Sequence, residues 1–109
     1  MKSSLEGVIP ESAFRIEREF IAEGKLFQLK IPIDVTVLFE DDSVVDKSSK
    51  FSITAFGSTR QDALQSFCED FVVLYDHISH SASDALTASA LSLKSSFLET
   101  VEEVVEQHP

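Results

Sequence analysis

Asp76, His77 and His80 form the one cluster in this 109-residue chain whose residue types resemble a metal or acid–base site. On a continuing helix His77 and His80 stand three apart and share a face, where they would hold a divalent ion together with Asp76. A third strong ligand at suitable spacing is missing. The cluster also falls where a helix ends, and the helix dipole favours cationic His there for structural reasons alone. The expectation is therefore helix-end residues and no metal. Cys68 sits within an apolar helical stripe and reads as a small core residue, because a reactive thiolate needs exposure and a nearby cation. Tyr75 lies on the same stripe. Glu99, Glu102, Glu103 and Glu106 read as a solvated helix face before a divalent-ion site. Gly7, Gly24 and Gly57 are too far apart to line one pyrophosphate, and no serine sits in a nucleophile elbow. No constellation supports catalysis, so neither enzyme activity nor a cofactor is expected.

The elements that must position these residues follow from hydrophobic period. Residues 1–12 mix Ser, Gly, Pro and Glu without periodicity and read as a loose N-terminal arm of a single domain spanning 1–109. Phe14, Ile16 and Phe20 share one parity, which suits a half-buried strand, with a short helix from Pro10 to Gly24 as the rival. Glu23-Gly24 reads as a tight turn. Phe27, Leu29, Ile31, Ile33, Val35, Val37 and Phe39 alternate with polar residues as one long strand, and Pro32 marks an edge or a bend. Asp41-Asp42-Ser43 is turn chemistry, Asp46 to Ser49 a polar break, and Phe51, Ile53 and Ala55 a further strand ending at Gly57.

At Ser58 the period switches. Ser58 with Gln61, or Thr59 with Asp62, would cap a helix whose stripe is Ala63, Leu64, Phe67, Cys68, Phe71, Leu74, Tyr75 and Ile78. A second helix, capped near Ser83 or Asp84, would carry Leu86, Ala90, Leu93, Phe97, Val101, Val104 and Val105 on one side. The predicted fold class is α+β: an antiparallel β-meander of about three strands, followed by two α-helices packed on one face.

Charge bounds the partners. The net charge is -10 and uneven: residues 1–60 hold eight Lys/Arg against ten Asp/Glu, a net of -2, whereas residues 61–109 hold only Lys94 against nine acids, a net of -8. Such a surface repels phosphate, and the C-terminal segment has neither a helix-turn-helix nor a ribbon-helix-helix pattern, so no direct nucleic-acid contact is expected. It would attract a basic protein, with acids facing away from the sheet as the contacts: Glu69, Asp70 and Asp76 on the first helix, Glu102 and Glu106 on the second. No apolar run approaches the roughly 20 residues a spanning helix needs, the start lacks a secretory stretch, and one cysteine makes no internal disulfide. These point to the cytoplasm, with no membrane partner.

Ile53-Thr54-Ala55-Phe56-Gly57-Ser58-Thr59-Arg60-Gln61-Asp62-Ala63-Leu64-Gln65-Ser66-Phe67 resembles the strand–Gly–Thr–helix signature of HicB-like antitoxins. Upstream, Ile16-Glu17-Arg18-Glu19, Gly24 and Ile31-Pro32 are similar to that family's first hairpin, and the resemblance covers roughly residues 14–78. It implies an inhibitor that covers a small basic RNA-cleaving toxin. The alternative is a homo-oligomeric assembly module of unknown role. The long strand edge, together with Leu91 and Leu98 lying off the main stripe of the second helix, leads to the expectation of a homodimer.

Overall fold

A computed structural model of the chain describes residues 12–107. The N-terminal arm therefore lies almost wholly outside the described residues. Ser12–Ile16 (β1) and Glu19–Ala22 (β2) run antiparallel against Ile33–Glu40 (β4) and Lys25–Leu29 (β3), respectively, as one bent hairpin. The strand reading of this region holds over the helical rival. Its tip is Glu23-Gly24, with φ of 53° and 71°. Left-handed backbone at both central residues matches the twist of the flanking strands.

The long strand expected from Phe27 to Phe39 is two strands. Only Glu17 and Arg18 separate β1 from β2, whereas Lys30, Ile31 and Pro32 separate β3 from β4. The unequal spacers bend the hairpin, and Pro32, with no N–H to donate, sits at the bend. Each half then recruits different neighbours. β4 pairs with Ser43–Ser48 (β5), which pairs with Ile53–Gly57 (β6), giving the sheet order β1-β4-β5-β6. β3 pairs with Val101–Glu106 (β7), giving the sheet order β2-β3-β7.

Among the described residues there are thus seven strands in two antiparallel sheets, and the expected meander of about three is corrected. β5 escaped detection because polar residues occupy its buried face. Asp46 and Ser48 are buried there beside Val44, opposite Ala55 and Ile53 of β6. Val44, Val45 and Asp46 are buried in succession, so neither burial nor hydrophobicity alternates cleanly along β5.

Helix α1 spans Arg60–Ser79. Thr59 is its N-cap, its Oγ1 accepting from the Asp62 N–H at 3.0 Å, so the second of the two capping pairs is the one used. Gly57 ends β6 close against the first turn of α1: a Cβ there would lie 2.7 Å from Asp62 backbone carbon. A 3₁₀ turn at Ser83–Ala85 precedes helix α2, Ala88–Thr100, which is capped by Thr87 rather than near Ser83 or Asp84.

α2 ends at Thr100, not past Val105, and Glu102 and Glu106 lie on strand β7 instead of the second helix. In register Val101 faces Leu29 and Val104 faces Phe27, with a bulge between. The extra residue puts Val101 and Val104, three apart, on one side of a strand, a spacing that imitates a helix. Pairing of β-branched residues with the open edge of β3 outweighs continuation of the helix.

The core forms where α1 packs against both sheets and α2 packs on α1. Phe27, Phe51, Phe67, Phe71 and Phe97 are fully buried. Phe71 sits among four rings, with centroids 5.3 Å from Phe20, 6.1 Å from Phe27 and 5.0 Å from both Phe51 and Phe97. Tyr75 is half-buried and meets Phe27 and Phe97 edge-on. Leu74 packs against this cluster as expected, but Ile31, in the bend, is 36% exposed. A smaller cluster joins Val37, Val44 and Ala63.

Candidate functional site

The five acids expected to meet a partner fall into three places. Glu69 and Asp70 adjoin on the middle of α1. Glu69 is half-buried and accepts from Gln65 Nε2 at 3.1 Å, whereas Asp70 is exposed and makes no ion pair with any described residue. Partial burial first, and the Glu69 charge second, push the Asp70 carboxyl above the ordinary carboxylate range.

Asp76 lies two turns further along, about 10 Å at the helical rise. Its Oδ2 accepts from Lys25 Nζ at 3.0 Å. Glu106 stands opposite Lys25 in the β3–β7 register, so the tertiary structure gathers Asp76 and Glu106 around one lysine. That lysine is held protonated, chiefly by the Asp76 hydrogen bond, and then by the Asp76, Glu106 and Glu23 charges, against desolvation. Glu102 is apart from both groups, exposed at the β7 bulge.

In the Asp76, His77 and His80 cluster, hydrogen bonds engage the Asp76 carboxylate and one His80 ring nitrogen. Asp76 is committed to Lys25, and the His80 ring nitrogen Nδ1 is 2.9 Å from the Asp76 carbonyl oxygen. His77 is exposed in the last turn of α1. Among the described residues no group of three or more His, Cys, Asp or Glu is placed to hold a metal ion. Cys68 is buried, and burial, with the Asp46 and Glu69 charges behind it, pushes its thiol up to about 11. Almost no thiolate exists there at neutral pH, which removes its nucleophilic chemistry.

Two features were invisible along the chain. Asp46 is 1% exposed on the inner face of β5, and its Oδ2 has no hydrogen-bond partner. Burial raises its carboxyl above the ordinary range, partly countered by Arg60. Sealed beneath α1, it reaches no substrate. The second feature is a groove of about 250 Å³ between the free edge of β6 and α1, lined by Ser52, Ile53, Thr54, Asp70, Val73 and Leu74. Val73 is 60% exposed there, and Phe56, on the same strand, is 58% exposed. Nothing in the residue pattern signals that β6 ends its sheet, because sheet order is a tertiary property.

No helix among the described residues is long and apolar enough to cross a membrane. Compared with protein-family models, with curated proteins and with solved structures, the chain matches none of them.

Proposed function

We propose that this chain is a non-catalytic acidic protein that binds and silences a basic protein partner, in the manner its resemblance to HicB-like antitoxins implies: a small ribonuclease toxin. The observation that carries this reading is the uneven charge, a net of -8 after residue 60. Those acids include the solvent-facing Asp70, Glu102 and Glu106. An enzyme that grips RNA phosphates presents a cationic surface, and an acidic partner is steered to that surface and covers it. Charge supplies on-rate and choice of partner, while apolar anchors supply most of the affinity.

Co-expression tests it. A small basic ribonuclease encoded beside this chain should arrest growth alone and lose that effect when the chain is present. Failure of rescue rejects the reading. Reversing Glu69, Asp70 and Glu102 to Lys should slow association severalfold. Asp76 and Glu106 are left out of that set because both carboxylates surround Lys25, and a Lys at either place would also disturb that cluster. Raising salt from about 50 to about 500 mM should slow the parent and barely change the variant, since screening shortens the Debye length.

One observation favours the assembly-module alternative: Leu91 and Leu98 on α2 are 38% and 49% exposed. It predicts a homodimer indifferent to the acids and no basic partner. A homodimer fits both readings, so the presence of a basic partner whose association slows on acid reversal separates them.

A further inference from the structure

The four free sheet edges among the described residues are β1, β6, β2 and β7. Proteins guard such edges with charge, bulges or covering segments, because a row of unpaired backbone groups templates another strand. β1 carries Arg15, β2 carries Glu19, and β7 carries Glu102, Glu103, Glu106 and a bulge. β6 reads Ile53-Thr54-Ala55-Phe56-Gly57 and carries no charge, no proline and no bulge. It is the unguarded edge.

Beside it α1 presents Val73 and Asp70, and Phe56 points from β6 itself with 58% of its surface exposed. A strand laid on β6 would satisfy the outward N–H and C=O groups through main-chain bonds and alternate its side chains between two faces. On one face Val73 and Leu74 offer apolar contact, and Asp70 offers a carboxylate with no cation among the described residues. We infer that the β6–α1 groove takes an extended cationic segment of a partner protein as an added strand, a basic side chain meeting Asp70 and an apolar one resting on Val73.

The charge of the groove selects this occupant. A second copy would bring another chain of net charge -10 to the same edge. Like charges set face to face oppose that pairing. A basic side chain from a cationic segment would pair the Asp70 carboxylate, which among the described residues has no cation beside it. The inference rests on the proposed basic partner and names the surface that would receive it.

The probe is a short peptide, Lys-Thr-Val-Thr-Lys-Thr-Val with blocked ends, which sets Lys and Val on the same face of a strand, and its control carries Glu in place of Lys. Backbone amide signals of the full chain are followed by NMR during titration. The Lys peptide should shift Ile53–Gly57 and Val73, and slow amide exchange along β6, while the Glu peptide should leave both unchanged. Asp70→Lys and Val73→Lys each alter an exposed side chain and should each weaken binding about tenfold without moving the melting temperature.

No binding at millimolar peptide, equal binding of the Glu control, or shifts that map to β7 each overturn the inference. So does protection of the β6 amides that grows with protein concentration alone, which would place a second copy on the edge. The peptide result does not depend on any toxin being found. Conversely, a co-expressed basic ribonuclease that is neutralised undiminished by Asp70→Lys and Val73→Lys retains the proposed function and rejects this groove.

Discussion

Phe71→Ala removes the side chain on which the two sheets and both helices converge. Phe71 has no exposed surface, and its ring neighbours are held by four different segments: Phe20 on β2, Phe27 on β3, Phe51 in the turn before β6, and Phe97 on α2. Large-to-small substitution of a buried Phe costs about 3–5 kcal/mol, and the cost is highest where the walls cannot collapse. Here they are rigid elements held from opposite sides, so the expected loss is about 4–5 kcal/mol. A domain of this size has about 5–15 kcal/mol in total, so the variant stands near the limit of folding. At about 4–8 °C per kcal/mol, the melting temperature should fall by roughly 16–40 °C.

Urea unfolding followed by far-ultraviolet circular dichroism measures the loss. Near-ultraviolet signal from Tyr75, the single tyrosine in a chain without tryptophan, reports the same core because its ring packs on Phe27 and Phe97. Phe39→Ala is the control, since Phe39 is 42% exposed and should lose about 1 kcal/mol or less. Comparable losses for the two variants would refute the placement of Phe71 at the centre of the core.

Three further outcomes are expected. The folded-state pKa of Asp46 is raised, so its protonated form favours the fold below the unfolded pKa of about 3.9 and that advantage is lost as pH rises through the folded value. Asp46→Asn should therefore gain stability relative to the parent between pH 4 and pH 7, and urea midpoints with a constant gap would contradict this. Gly57→Ala drives a methyl group into the backbone of Asp62 and Ala63, which should cost at least about 1–3 kcal/mol by thermal melting. With its thiol pushed up to about 11, Cys68 should react with iodoacetamide at pH 8 far more slowly in the native chain than in urea; equal rates would show the thiol to be accessible.

The residues that declared themselves in sequence are those whose local pattern and tertiary environment agree. Thr59 caps α1 because its side chain reaches an N–H three residues away, a contact that needs no other element. Gly24 turns the chain by its own backbone preference. The stripe from Ala63 to Ile78 faces the sheets because its apolar residues recur every three or four positions along one side of the helix. Net charge and its concentration after residue 60 are likewise properties of composition alone.

What sequence period could not decide was pairing. Whether Val101 to Glu106 continued a helix or became β7 depended on the open edge of β3, more than seventy positions away. Whether Asp46 to Ser48 was a break or a buried strand depended on β4 and β6 enclosing it. The candidate groove depended on β6 having no neighbour and on α1 lying beside it with Asp70 and Val73 outward. Side-chain period reports which face of a segment is apolar, whereas sheet order and edges follow from long-range hydrogen bonding that no local window contains.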